Sequence, residues 1–313
     1  MSSAPLFDER PPFDRERLAA RLGSLAAQGI LIGTSSWKYP GWLGQIYTRE
    51  RYLTRGGFST RRFEAECLGE YARTFPVVCG DFSFYQFPSE QYWQRLFGSA
   101  PASLRFALKV PEEITARVFP GHARYGPRAG LPNPSFLNAA LFEEGFLRPL
   151  SPWRDQIAAL IFEFGAFPQK STAFVEDLDR FLAALPQGFR YSVEVRNPEL
   201  LGPGYFQCLK SHGAAHVFNA WARMPELGRQ IQMPDAFTAD FTVCRALLRQ
   251  GRAYANAVEL FSPYEQIKDP NPEGRQAIRD MIEWARDKKK AAFIFVNNRF
   301  EGNAPATIEA LVE

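Results

Sequence analysis

Short apolar runs alternate with longer amphipathic stretches along this chain from residue 30 onward. The runs are rich in β-branched and aromatic residues, which favour strands, and the stretches between them repeat at helical spacing. Eight strands alternating with helices predict an α/β fold, either a closed parallel barrel or a doubly wound sheet. The predicted strands are ILIG from residue 30, VVCGDFSFY from 77, SLRFALKV from 103, IAALIFEF from 157, FRYSVEV from 189, AAHVFNAW from 214, FTADFTVCRALL from 237 and AAFIFVNN from 291.

The fifth run, FRYSVEVRNPEL, combines one apolar face with one charged face. Successive side chains of a strand point to opposite faces, so Ser192, Glu194 and Arg196 share a face opposite Tyr191, Val193 and Val195. The third run follows the same pattern and carries Lys109 to its carboxyl end. Active sites of α/β barrels lie at the carboxyl ends of the strands, so these charges indicate a site there.

The segments outside the strands suggest an N-terminal helix and two long connections. Apolar residues at 18, 22 and 25, with Asp14 as N-cap and Gly29 as the stop, predict a helix over 14–28. We expect residues 1–29 to form an arm and a helix, and residues 30–313 to form one barrel domain. The connections at 111–153, with a short helix between Phe136 and Phe146, and at 247–272 are long enough to be functional loops or lids.

Composition narrows the class of protein. The formal charge of +3 arises from nearly balanced acids and bases and gives no broad cationic surface, so nucleic-acid binding is not favoured. Four scattered cysteines without a C-x-x-C pair read as reduced, buried side chains. No apolar run is long enough to span a bilayer and the N-terminus has no signal-peptide pattern, so we expect a soluble cytoplasmic protein without membrane contact.

Motifs for common cofactors and nucleophiles are missing. No G-x-G-x-x-G or P-loop follows a strand, and there is no G-x-S-x-G. The three histidines include no i, i+4 pair, and His216 reads as a core or supporting residue. We therefore expect neither a metal nor a cofactor.

Polar residues at the strand ends form the candidate site. We predict catalytic roles for Glu194, Lys109 and Glu163. We predict ligand-binding roles for Arg196, Arg245, Asn297, Asn298, Asp81, Tyr85 and Trp37. Buried charges must pair, titrate or bind a ligand. Two interpretations stay open: an inert network of ion pairs, and a pocket in which the cations hold an anion while a carboxylate acts as acid or base.

Several motifs together resemble the YecE-like barrel proteins, also called domain of unknown function 72. They are IGTSSWKYPGW at the first strand, FSFYQFP at the second, FALKVPEEIT at the third, VEVRNPE at the fifth and VNNRFEGNAPAT at the eighth. The resemblance covers most of the chain from Ile30 to Leu311. It implies a TIM-like (β/α)8 barrel with no established activity, and it marks Lys109, Glu194, Arg196, Asn297, Asn298 and Arg245 as family positions.

The sequence also departs from that family pattern. Cys79 and Asp81 stand where the resemblance implies Glu and Asn, and Ala116 stands where it implies His. The His-Gly that follows the seventh-strand arginine in the family is absent after Arg245. A mechanism that depends on those groups is not expected in this chain.

Two hypotheses of different classes follow. The first is a barrel that binds a polar, anionic small molecule at its carboxyl-end mouth, with metal-independent acid/base chemistry by Glu194. The alternative is a non-catalytic barrel whose connections at 111–153 and 247–272 recognise a macromolecule, with nucleic acid as a weaker variant. The sequence does not indicate the reaction, the substrate or the oligomeric state.

Overall fold

The structure, a computed structural model, describes residues 13–166 and 171–313. Within these residues eight parallel strands close into a barrel in the order β1-β8-β7-β6-β5-β4-β3-β2, which confirms the expected TIM-like (β/α)8 fold and excludes the doubly wound sheet. The strands are β1 Ile30–Thr34, β2 Val77–Gly80, β3 Arg105–Lys109, β4 Ile157–Phe164, β5 Tyr191–Val195, β6 Ala215–Ala220, β7 Phe241–Ala246 and β8 Ala291–Val296.

Helical segments follow every strand. The longer helices are α1 Arg15–Ala26, α2 Thr60–Tyr71, α3 Glu90–Gly98, α4 Ser171–Ala183, α5 Pro203–Ser211, α6 Tyr254–Phe261, α7 Pro272–Lys288 and α8 Ala304–Val312. Shorter helical turns occupy Pro40–Trp42, Arg49–Tyr52, Glu112–Thr115, Ala123–Arg128, Ala139–Phe142, Glu143–Leu147, Arg148–Leu150, Ser151–Gln156, Pro198–Leu200, Leu227–Ile231 and Asn298–Glu301. A two-stranded hairpin, Leu53–Thr54 with Gly57–Phe58, lies between β1 and α2.

Local signals place the ends of the predicted helices well. Asp14 caps α1 by accepting a hydrogen bond from the Arg17 backbone N–H at 2.9 Å, and Gly29 takes a positive φ just after this helix. One helix prediction was less accurate, because the helix expected between Phe136 and Phe146 continues as irregular turns to Gln156.

Apolar side chains form two layers, one inside the barrel and one between the strands and the helices. The inner layer includes Val77, Ala107, Ile161, Val243 and Phe295, all buried. The outer layer takes the alternate residues of the same strands, as the predicted alternation of β3 and β5 requires. The lower and middle barrel is therefore a largely apolar core in which the Ser192 hydroxyl donates to the Leu160 carbonyl, and charged side chains gather at the carboxyl end.

Candidate functional site

Five charged side chains, which we call the ionic ring, meet at the carboxyl end of the barrel: Lys109, Glu163, Glu194, Arg196 and Arg245. The Lys109 Nζ atom lies 3.0 Å and the Arg196 Nη2 atom 3.2 Å from Glu163 Oε2. Arg196 Nη2 also lies 2.6 Å from Glu194 Oε1, and Arg245 Nη1 donates to a carboxylate oxygen of each glutamate. The structure thus brings together both predicted glutamates and the three predicted cations.

Strand register explains how the ring is assembled. Glu163 of β4 is paired with Glu194 of β5, and both side chains point into the barrel. Arg245 of β7 is paired with Asn219 of β6 and with Phe295 of β8. Arg245 lies two residues beyond the inward-facing Val243 and also points into the barrel. Four strands that are separated in sequence therefore deliver their last inward-facing polar residues to one level of the barrel.

The charges of the ring do not cancel within the buried region. Three buried cations face two carboxylates, and the third negative charge nearby belongs to Asp81, which lies 3.0 Å from Lys109 Nζ but has a side chain that is 53% exposed. Three guanidinium nitrogens, Arg196 Nε, Arg196 Nη1 and Arg245 Nε, are buried without a hydrogen-bond partner among the described residues. Unpaired buried donors are costly, so the arginines of the ionic ring keep unused hydrogen-bonding capacity.

Aromatic rings cover two of the cations. Phe84 lies with its ring centroid 3.5 Å from Lys109 Nζ, and Trp221 lies 3.9 Å from the centre of the Arg196 guanidinium. These contacts are cation–π interactions that strengthen when water is excluded. The rings therefore shield the ion pairs and leave Glu163 as the more accessible carboxylate, with a side chain that is 15% exposed compared with 0% for Glu194.

A cavity of about 710 Å³ opens beside Glu163. Its lining residues are Phe84, Glu112, Thr115, Ala116, Arg117, Val118, Pro120, Glu163, Gly165 and Ala166. All three cations contact Oε2 of Glu163, while Oε1 has no hydrogen-bond partner among the described residues. One carboxylate oxygen thus anchors the ionic ring, and the same residue lines the cavity.

The neighbouring charges determine the ionisation states of Glu163 and Lys109. Burial alone would raise the pKa of Glu163, but Lys109, Arg196 and Arg245 together lower it well below its ordinary value. Burial alone would lower the pKa of Lys109, and Glu163 and Asp81 more than offset this effect and raise it. Both groups are therefore charged at neutral pH, and Glu163 is a hydrogen-bond acceptor rather than a proton donor in the free protein.

The other predicted ligand-binding residues lie in varied surroundings. The ring of Tyr85 is half exposed and stacks against Arg124, with 3.7 Å between the guanidinium centre and the ring centroid. Trp37 is buried and contacts Phe82, with 5.5 Å between ring centroids, and its Nε1 atom has no partner among the described residues. Their roles in binding stay predictions.

The two asparagines after β8 make structural hydrogen bonds. Asn297 Oδ1 accepts from the Arg299 backbone N–H at 2.9 Å and caps the turn that follows. Asn298 Oδ1 accepts from Trp42 Nε1 at 3.1 Å and from the Ala304 backbone N–H at 2.8 Å. These bonds tie the loop after β8 to the loop after β1 and to α8, and the ligand-binding roles expected for both asparagines stay predictions.

Sequence reasoning missed several polar residues at this end of the barrel. Asn219 faces inward, and its Oδ1 atom is buried without a partner among the described residues. The parity of β6 would have revealed it, since it lies two residues beyond the inward-facing Val217. Glu112 and Thr115 line the cavity from the connection after β3, where no periodicity predicts side-chain direction.

Two further observations concern metals and membranes. Across residues 13–166 and 171–313, no three His, Cys, Asp or Glu side chains are grouped so that they could hold a metal ion. In the same part of the chain, no helix has the length and apolar character needed to cross a bilayer. The four cysteines are free and buried, as expected.

Comparison with known families shows to which family the chain belongs. Residues 31–313 match the family model described as "Protein of unknown function DUF72". The chain belongs to this family. The match spans the whole barrel and confirms the resemblance drawn from the strand-end motifs. None of the curated proteins compared matches this DUF72 chain.

Solved structures of DUF72 proteins share the fold. A DUF72 family protein from Thermotoga maritima aligns with a TM-score of 0.60 at 18% identity, covering 90% of this chain and 97% of that one. One from Enterococcus faecalis aligns with a TM-score of 0.58 at 15% identity, covering 90% and 95% of the two chains. At these identities the likeness supports the barrel and carries no information about ligand or reaction.

Proposed function

We propose that this DUF72 protein binds an anionic small molecule at the carboxyl-end mouth of its barrel. The observation that carries the proposal is the excess of buried positive charge in the ionic ring, where Lys109, Arg196 and Arg245 face only two buried carboxylates. A carboxylate or phosphate group would balance this charge and accept the unpaired guanidinium N–H groups.

The cavity supports the same site. It is large enough for a metabolite-sized ligand, and Glu163 connects it to the ring. We place acid/base chemistry on Glu163 rather than on Glu194, because Glu194 is fully buried between two arginines while Glu163 is partly exposed and lines the cavity. An anionic ligand that drew the cations away would raise the pKa of Glu163 toward its ordinary value and make it a better base.

Two variants with opposite effects test the proposal. Sulfate binding is measured by isothermal titration calorimetry on the wild type, Lys109→Gln and Glu163→Gln. Removing one positive charge should weaken sulfate binding by about tenfold or more, and removing one negative charge should strengthen it by a similar factor. Lys210→Gln removes an exposed lysine paired with Asp235 and should leave the affinity unchanged. Absence of sulfate binding by the wild type, or equal affinities in all four proteins, would contradict the proposal.

One observation favours the alternative of a non-catalytic interaction module. The exposed large apolar residues lie on connections after strand ends, at Tyr85, Val118, Leu131, Tyr254 and Leu260. Exposed apolar side chains near one another mark interaction surfaces when they form a patch. The same titration separates the two functions, since a module that uses these connections has no need of an anion at the ring and would show no charge-dependent sulfate binding.

A further inference from the structure

The wall of the cavity across from the barrel strands is built by the turn Glu112–Thr115, at the start of the connection after β3. The Glu112 backbone N–H donates to the Phe84 carbonyl at 2.7 Å, which joins this turn to the loop after β2. Phe84 lines the same cavity and covers Lys109. The turn is therefore held in a fixed position relative to the ionic ring.

In both Glu112 and Glu163, one carboxylate oxygen contacts other groups of the protein and the second oxygen does not. Tyr125 donates its hydroxyl hydrogen to Glu112 Oε2, and the three cations of the ring contact Glu163 Oε2. The Oε1 atoms of both residues have no hydrogen-bond partner among the described residues. Both residues line the cavity, so two carboxylates with an oxygen not used by the protein stand in its wall.

A third polar group in this wall points to a ligand independently. Thr115 is buried, it lines the cavity, and its Oγ1 atom has no hydrogen-bond partner among the described residues. A buried hydroxyl without a partner loses the hydrogen bonds it makes with water in the unfolded chain. Because Oγ1 is itself buried, a ligand hydroxyl in the cavity would reach it after rotation of the Thr115 side chain, and the two would then exchange a hydrogen bond, since a hydroxyl both donates and accepts.

The two carboxylates differ in their electrostatic surroundings. Burial raises the pKa of Glu112, and Glu163 also raises it, although the Tyr125 hydroxyl, Lys109 and Arg124 act to lower it. The cations of the ring lower the pKa of Glu163 against the effect of burial. As the pH falls, Glu112 therefore takes up a proton before Glu163 does, and it then becomes a donor to the ligand while Glu163 stays an acceptor.

We propose that Glu112, Thr115 and Glu163 form a subsite for hydroxyl groups, so that the ligand is a hydroxylated anion of the sugar-acid or sugar-phosphate class. This inference rests on the proposed function, because it places the anionic group of the ligand at the ionic ring and its hydroxyl groups in the cavity. The ligand hydroxyls donate to the two free carboxylate oxygens and exchange a hydrogen bond with Thr115. The apolar wall made by Phe84, Val118 and Pro120 contacts the carbon chain.

The test compares two carboxylates of equal chain length, gluconate and hexanoate, which differ in their hydroxyl groups. Binding to the wild type, Thr115→Val and Glu112→Leu is measured by calorimetry. The wild type should bind gluconate at least about tenfold more tightly than hexanoate. Each variant should lose about three- to tenfold in gluconate affinity, the effect of one hydrogen bond, and should bind hexanoate no more weakly than the wild type.

The outcomes separate this inference from the function on which it rests. Wild-type protein that binds sulfate and hexanoate but shows no preference for gluconate would overturn the hydroxyl subsite and leave anion binding in place. Wild-type protein that binds none of the anions would overturn both.

Thr115→Val keeps the size of the side chain and removes an unpaired buried hydroxyl, so it should fold as well as the wild type. A preference for gluconate that persists in both variants would overturn the assignment of these residues. Tighter binding of gluconate than of glucose 6-phosphate would assign the ligand to the sugar acids, and the reverse order would assign it to the sugar phosphates.

Discussion

Glu194 is fully buried at the carboxyl end of β5, with its carboxylate held between Arg196 and Arg245. Such an arrangement is stable because the charges are paired, since a single buried charge is strongly unfavourable. Glu163 makes the same kind of contacts one strand away and remains partly accessible. Two glutamates in register on neighbouring strands therefore differ in role, one closing the ionic ring and the other connecting it to the cavity.

Glu194→Gln keeps the shape of the side chain and removes its charge. Because Arg196 and Arg245 would then share Glu163 alone, the free energy of unfolding should fall by about 3–5 kcal/mol, measured by urea denaturation. The exposed pair of Arg62 with Glu66 on α2 provides the control, and Glu66→Gln should change stability by no more than about 0.5 kcal/mol. Equal effects of the two substitutions would show that the ring is not a tightly coupled buried cluster.

At the level of elements, the barrel closes through an unusually close contact between β1 and β2. Thr34 and Val78 form the one registered pair between them, and the Tyr71 hydroxyl from α2 bridges the two strands. It accepts from the Thr34 N–H at 3.0 Å and donates to the Val77 carbonyl at 2.9 Å. Gly33 makes this approach possible, because a Cβ atom there would lie 1.8 Å from the Val77 oxygen.

Gly33→Ala should therefore destabilise the protein by about 3 kcal/mol or more, as overpacking against backbone does in a closed core. Gly69→Ala is the matched control, since a Cβ atom at this exposed position on α2 meets nothing within 4 Å. That substitution should stabilise the protein by up to about 1 kcal/mol through the higher helix propensity of alanine. Thermal and urea denaturation measure both, and a Gly33→Ala protein as stable as the wild type would refute the close contact.

On the scale of the whole molecule, charged and apolar side chains occupy different parts of the barrel. The inner core below the ionic ring is largely apolar, and the outer face of the strands packs aromatic side chains against the helices. His216 lies on that outer face of β6, with Nδ1 3.2 Å from the Tyr205 hydroxyl. His216 is buried, as its place in an apolar strand predicts, and has a structural role. Protonation of its ring would destabilise the folded state.

Burial lowers the pKa of His216 from 6.5 to about 3. Below pH 6.5 the unfolded chain binds a proton at this residue while the folded chain does not. The free energy of unfolding therefore decreases as the pH falls from 6.5 toward 3. His216→Phe should remove the loss of stability seen between about pH 6.5 and 5, a range above the ordinary titration of carboxylates. The exposed His122 is the control, and His122→Gln should keep the wild-type pH dependence in urea denaturation.

Much of the candidate site could be read from the sequence because strand alternation is a local property. The inward positions of Lys109, Glu163 and Glu194 follow from counting along a single strand, and the carboxyl-end rule brings them to one level. The asparagines after β8 could not be placed this way, because a residue just beyond a strand is directed by the hydrogen bonds of its loop. The division of the chain at residue 29 and the cytoplasmic location stay predictions, and arm residues 1–12 lie outside the described part of the chain.

The sequence by itself determined the order of elements, the apolar core and the charged strand ends, since each depends on side-chain type and on spacings of two to four residues. Only the tertiary structure decided that Arg245 points inward, that three cations share one oxygen of Glu163, and that Glu112 and Thr115 form a wall of the cavity. These relations join segments that are distant in sequence. They arise from barrel closure and from the irregular connection after β3, for which no local periodicity exists.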